Sequence, residues 1–376
     1  MITMKVAERI TLASPVLNGN EREYVLDCID TGWISANGKY VTKFEEKFAE
    51  FCDVKHALSC ANGTVAIHLP LLAYGVGQGD EIIIPTFTYI ATANAVKYCG
   101  ATPVLVDCEN DSWNIDPKKM EEKITPKTKG IIVVHLYGHP VDMDPIMEIA
   151  QKHNLFVIED AAEAHGAEYN GKVVGSIGDV GTFSFFGNKV ISTGEGGMIT
   201  TNNSELAEKM RLLRGQAMDP KKRYWFNEVG YNYRMTNLQA AVGLGQLENI
   251  DWHLGQRRRV AESYIVKLSQ FNDVFTLQPE MPWAKHTYWM VSILLADKVK
   301  ASRDEIMALL EADGIETRPL FYPMHQMPPY YEEHSNYPVA DQISSRGFNI
   351  PTNATLTDEQ IDYICSRLVF HCNNNL

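Results

Sequence analysis

Residues 181–201 read GTFSFFGNKVISTGEGGMITT. Phe183, Phe185 and Phe186 ask for burial, yet Lys189 follows them, and Gly194-Glu195-Gly196-Gly197 then leads back into an apolar run. An amine in apolar surroundings carries a desolvation cost, so such a lysine is either at the surface or has chemistry to do. A free lysine amine has a solution pKa of about 10.4 and is a poor nucleophile because it is protonated. Desolvation and neighbouring cations lower that value, and condensation with an aldehyde removes the obstacle.

The sequence around this stretch alternates. HALSC, EIIIP, TPVLV, GIIVVH and LFVIE read as strands, with helix-like segments such as 92–98 and 145–152 between most of them. That pattern predicts an α/β fold, a mainly parallel sheet flanked by helices. Sites in such sheets lie at the carboxyl ends of the strands. Upstream, KFEEKFAEFC (43–52) places Phe44, Phe48 and Phe51 on one helical face. After about residue 250 the texture changes. HTYWMVSIL (286–294) reads as a strand, Ser302 with Glu305 and Thr357 with Gln360 have capping-box spacing, and Gly314 sits where the first of these helices would end. The expected division is a large α/β domain over residues 1–250, with an N-terminal segment, and a smaller α+β domain over 251–376. The tail Asn373-Asn374-Asn375 is expected to fray.

A chain of 376 residues can bury a large core without disulfides or structural metals. Its net charge of −13 argues against a nucleic-acid partner, which would require a basic surface. Small anionic ligands stay open, since they need only a locally positive pocket. The seven cysteines are dispersed and never spaced CxxC, the pattern of reduced thiols in a cytoplasmic protein without a zinc site. The opening MITMKVAERITLASP has no long apolar core and is not a signal peptide, and no apolar run approaches a bilayer span, so no membrane partner is expected.

Four further motifs bear on chemistry. GVGQGDE (75–81) precedes a strand, whereas a dinucleotide-binding loop would follow one; it reads as a helix-ending turn. HLYGHP (135–140) spaces two histidines like zinc ligands, but Gly138 and Pro140 break any helix there. ANGTVAIHL (61–69) follows a strand and opens an apolar helix that Pro70 should kink. Gly63 and Thr64 would put free amides and a hydroxyl at its N-terminus, either an anion site or a plain cap. LFVIEDAAEAHG (155–166) ends a strand on Glu159-Asp160, with Glu163 and His165 close behind. An acid there either caps the next loop or faces a heterocyclic nitrogen and holds it protonated.

An anion loop, then an acid, then a lysine in apolar surroundings is the order of a pyridoxal phosphate (PLP) site. At this point the sequence resembles the nucleotide-sugar aminotransferases of the DegT type, which share the aspartate aminotransferase-like fold (PLP fold type I). The resemblance spans nearly the whole chain. It rests on TGWISANGKYVTKFE (31–45), NGT (62–64), PTFTYIAT (85–92), HLYGHPVDM (135–143), EDAAEAHG (159–166) and FSFFGNKVISTGEGGM (183–198). GYNYRMTN (230–237), HTYWMVSIL (286–294) and ETRPLFYPMH (316–325) extend it.

The resemblance implies the following roles. Lys189 is the lysine that joins the cofactor's aldehyde, and Asp160 the acid paired with its ring nitrogen. Glu163 stands where many relatives have Gln near the ring oxygen, a departure that leaves its proton open. Tyr89 is the aromatic that stacks on the ring, and Gly63, Thr64 and Ser184 meet the phosphate. Asn232 reaches the phosphate from a neighbouring subunit, which makes the functional unit a homodimer. Trp33, Ser35, Arg234, Arg318, Tyr322 and His325 line the region for sugar nucleotide and amino donor; guanidinium geometry suits Arg234 or Arg318 to a carboxylate or diphosphate. The implied reaction passes an amino group from L-glutamate, by way of pyridoxamine phosphate, to the 4-keto group of GDP-4-keto-6-deoxymannose, a sugar destined for surface polysaccharide. A related branch with histidine in place of the lysine dehydrates its sugar, and Lys189 favours amination. A UDP- or dTDP-linked ketosugar, or a non-catalytic protein on this fold, are the rival readings.

Overall fold

The computed structural model describes residues 9–333 and 336–375, so Lys5 and Glu8 of the opening stretch lie outside the described residues. The apolar runs fold as β1 (His56–Cys60), β2 (Glu81–Pro85), β3 (Thr102–Val106), β4 (Thr128–Val134) and β5 (Phe156–Asp160). A short hairpin, β6 (Glu168–Tyr169) and β7 (Lys172–Val173), precedes β8 (Val180–Ser184) and β9 (Gly197–Thr201). The seven-stranded sheet has the order β1-β9-β8-β5-β4-β2-β3. β9 runs against both its neighbours and the remaining pairs are parallel, a mixed, mainly parallel sheet.

Alternate side chains of these strands enter different cores, as the two-residue period of a strand requires. Ile82, Ile84, Ile132 and Ile158 join one core, whereas Ile83, Ile131, Val133 and Val157 join another with Met143 and Ile146. Helices α1 (Glu21–Thr31), α2 (Lys39–Cys52), α3 (Gly63–Ala73) and α4 (Ala91–Tyr98) come from the first hundred residues. α5 (Pro117–Glu122), α6 (Met143–His153), α7 (Ser204–Arg214) and α8 (Asn237–Glu248) complete this part. Pro70 lies inside α3, which runs on unbroken to Ala73.

Asn249 ends α8 and starts α9 (Ile250–Leu268). Beyond it come β10 (Phe275–Leu277), β11 (Ala284–Lys285), β12 (Val291–Leu295), α10 (Arg303–Ala312), β13 (Arg318–Pro319), α11 (Pro338–Arg346), β14 (Gly347–Ile350) and α12 (Asp358–Asn373). An antiparallel sheet ordered β10-β12-β14-β13 forms a separate core with Val260, Tyr264, Ile306 and Leu368, joined by Ile10 from the N-terminal segment. Both capping boxes expected from the sequence form, on α10 and α12. β11 pairs with β6 and ties the two parts together.

Two expectations are corrected. Within HTYWMVSIL the strand begins only at Val291; Tyr288 takes φ 50°, and Trp289 and Met290 pack into the large core instead. The asparagine tail is docked: Lys300 N donates to Asn375 O at 2.7 Å, and Asn375 Nδ2 donates to His371 O at 2.8 Å.

The phenylalanines of the opening stretch divide by task. Phe183 and Phe185 pack on Phe48 of α2, with ring centroids at 4.9 and 5.5 Å, while Phe186 is half exposed. Phe48→Ala should therefore cost about 3–5 kcal/mol of stability, read as a lowered urea midpoint with unchanged slope.

Candidate active site

The parallel strands bring their carboxyl ends to one edge of the sheet. Loops after β1, β2, β5 and β8 enclose a cavity of about 550 Å³ lined by Gly63, Thr64, Tyr89, Asp160, Glu163, Ser184 and Lys189, among others. The register of β5 on β8 sets Asp160 beside Thr182, two residues before Ser184.

At the β1 end, Asn62 caps α3 by accepting from Val65 N at 3.0 Å. The first amides of a helix have no intrahelical partner, so those of Gly63 and Thr64 offer an anion site. A Cβ on Gly63 would lie 2.7 Å from Ser184 Cβ, so glycine is what allows α3 to start this close to β8.

Asp160 is buried. Its Oδ2 accepts from Thr92 Oγ1 at 2.8 Å and its Oδ1 from Ala162 N at 3.2 Å. Burial raises its pKa, and the Thr92 bond, the Ala162 amide and the Lys189 charge oppose that rise. Glu163 is held by Tyr137 N, which donates to Oε2 at 2.7 Å; its Oε1 stands 3.8 Å from Lys189 Nζ. Burial lifts the Glu163 carboxyl to about 7, against the pull of Lys189 and the Tyr137 amide.

Lys189 Nζ also lies 3.8 Å from the centre of the Trp289 ring. Burial draws its pKa below the usual lysine value, while Glu163 and Asp160 favour the charged form. The backbone around it is fixed by Arg257 of α9 and by Trp289. Arg257 donates to Lys189 O at 3.3 Å and to Trp289 O at 2.9 Å, and Trp289 Nε1 donates to Asn188 O at 2.7 Å. His165 is fully buried against Phe183 and Phe185, and burial pushes it down to about 3, so it is neutral.

The remaining residues singled out from the sequence lie elsewhere in the chain. Asn232 and Arg234 are exposed and do not line this cavity. Trp33 lines a second hollow with Lys39, Arg211 and Arg214, and exposed Ser35 uses its carbonyl to accept from Asn237 N at 2.9 Å. Exposed Arg318 pairs with Glu316 at 3.1 Å, and half-exposed Tyr322 accepts from Arg303 at 3.1 Å. His325 is buried, with Nδ1 bonded to Thr86 at 2.8 Å and Nε2 to Asp341 at 3.0 Å, so both ring nitrogens are occupied by the protein. Sequence reading missed Thr92, Arg257, Trp289 and Phe321. Thr92 and Trp289 stood within quoted motifs, but their partners are 68 and about a hundred residues away, beyond any local pattern.

A model of the DegT/DnrJ/EryC1/StrS aminotransferase family matches residues 15–369. The chain is 55% identical to GDP-perosamine synthase of Caulobacter vibrioides over 96% of this chain and 97% of that protein. It is 49% identical to GDP-perosamine synthase of Escherichia coli O157:H7, again over 96% and 97%. Among solved structures, the PLP form of Spr1654 from Streptococcus pneumoniae superposes with a TM-score of 0.93 at 25% identity, covering 98% of this chain and 100% of that one.

The close approach of α3 to β8 makes a direct forecast. Gly63→Ala forces the two apart and should cost about 1–3 kcal/mol by overpacking, seen as a lower thermal midpoint, whereas Gly77→Ala, facing open space, should leave the midpoint nearly unchanged.

Proposed function

Because the chain belongs to the DegT/DnrJ/EryC1/StrS aminotransferase family, we propose that it carries an amino group from L-glutamate to the 4-keto carbon of GDP-4-keto-6-deoxymannose, giving GDP-perosamine. The chain is a PLP-dependent sugar aminotransferase. The observation that carries the reading is the meeting of Lys189, Asp160 and the start of α3 in one cavity.

The residues present fit the cofactor. A phosphate suits the amides of Gly63 and Thr64 with the Ser184 hydroxyl, and the exposed ring of Tyr89 offers a stacking face. Asn188 Oδ1, in the same lining, is buried and has no partner among the described residues, a polar atom left for a ligand. Bound there, PLP supplies an aldehyde that takes up amino groups and a ring that draws electrons from the carbon beside them.

This chain's residues do the rest. Asp160, as a carboxylate, keeps a proton on the ring nitrogen. Thr92 orients that carboxylate and opposes the effect of burial on it. Lys189 holds the cofactor between turnovers. Its amine, when not joined to the cofactor, would take the proton from glutamate Cα and, in the second half of the reaction, return one to the sugar's C4. Burial lowers the amine's basicity toward the working range of a general base.

Asn232 and Arg234 are exposed away from their own cavity, which supports their offer to a second copy and a homodimer with shared sites. Among the described residues no helix is long and apolar enough to cross a membrane. In this reading the enzyme works in the cytoplasm and its product feeds surface polysaccharide, such as the O-antigen of lipopolysaccharide.

Borohydride reduction of the loaded chain should add the cofactor's mass to Lys189. Lys189→Ala should lose that adduct and lower turnover about a hundred- to ten-thousandfold. With glutamate as donor, kcat/KM should be highest for the GDP-linked 4-ketosugar among GDP-, UDP- and dTDP-linked ones. A preference for UDP or dTDP overturns the substrate, and an unlabelled Lys189 overturns the mechanism.

A further inference from the structure

Whenever Lys189 is not joined to the cofactor, its amine would have to wait within reach of the reacting carbon. The structure holds that amine in a defined place. Lys189 Nζ sits 3.8 Å from the centre of the Trp289 ring and 3.8 Å from Glu163 Oε1. We propose that Trp289 and Glu163 form a resting cradle for the unattached Lys189 ammonium, and that these two positioning residues set how readily it gives up its proton. The proposal rests on Lys189 being the cofactor-linking lysine.

Both walls of the cradle are themselves fixed. The Trp289 indole donates to Asn188 O at 2.7 Å, and its carbonyl accepts from Arg257, which also holds Lys189 O. The indole stacks on Tyr137 with ring centroids at 6.2 Å. Tyr137 in turn donates its backbone N–H to Glu163 Oε2 at 2.7 Å, which leaves Oε1 toward the amine. Tyr137 takes φ 56°, a conformation L side chains rarely adopt, so the link between the two walls is a built feature. A ring face and a carboxylate each favour the ammonium form, whereas burial favours the neutral amine.

Asp160 is a second carboxylate, more distant in effect than Glu163, and it is engaged by Thr92. His165 is neutral, and the Arg257 guanidinium donates through Nη1 and Nη2 to the carbonyls of Trp289, Thr352 and Lys189. Above pH 7 Glu163 is largely ionised, since burial lifts it only to about 7, and it then adds to the amine's basicity. Removing that charge must lower the Lys189 pKa further, so more free amine exists at a given pH.

The test measures Lys189 basicity without turnover. The full-length chain, cofactor-free and loaded with pyridoxamine phosphate, is pulsed with acetic anhydride between pH 7 and 11, and acetylation of the Lys189 peptide is followed by mass spectrometry. Glu163→Gln and Trp289→Leu should each move the labelling midpoint down by about one pH unit, which is about tenfold faster labelling below the midpoint. Trp289→Phe, which keeps a ring face, should move it less. A midpoint within about 0.3 unit of the native one for Glu163→Gln or for Trp289→Leu overturns the cradle. Thermal melts check folding, and Glu163→Gln, being isosteric, keeps the question decidable if the Trp289 variant is unstable. Failure of the functional reading would show separately, as absence of the borohydride adduct at Lys189.

Discussion

The structure depends on a lysine amine held away from bulk water beside two carboxylates. Burial lowers the pKa of Lys189, and Glu163 and Asp160 oppose that. The balance leaves an amine that can be cation, nucleophile or base according to what stands in front of it. The parallel sheet makes the arrangement possible. Adjacent strands β5 and β8 end on the same edge, so Asp160 and the Ser184 hydroxyl, 24 positions apart in the chain, line one cavity. The third element, the start of α3, approaches because Gly63 offers no side chain to Ser184.

Residues that follow α8 in the chain take part in this site. Arg257 from α9 crosses to the backbone of Lys189 and Trp289, and Trp289 and Phe321 both line the cavity. Tyr137 lies between their rings, stacked on each, with its OH accepting from Phe321 N at 2.9 Å. Its left-handed backbone costs about 1–2 kcal/mol, which the stacked rings and the bond to Glu163 offset.

Much of this was legible from local pattern. HALSC, EIIIP and TPVLV became strands with the same limits; for EIIIP and TPVLV the reason is that a buried parallel strand is a nearly continuous apolar run. The caps at Ser302 and Thr357 form because the capping box needs only residues three apart. HTYWMVSIL misled for the opposite reason. Its first half is as apolar as a strand, yet its partners are Tyr137, Asn188 and Arg257, so it leaves the sheet and turns at Tyr288. His325 looked like a ligand group in sequence; Thr86 and Asp341, far away in the chain, occupy both its nitrogens.

By itself, then, the sequence determined the α/β alternation, the strand end that carries Asp160, and the lysine set among phenylalanines. These follow from hydrophobic period and from groups a few residues apart. Only the tertiary structure decided that Trp289 covers Lys189, that Thr92 and Tyr137 hold the two acids, and that Arg257 joins the domains behind them. A side chain's protonation and orientation depend on charges and dipoles within a few ångströms, and chain folding, which no short-range pattern encodes, chooses those neighbours.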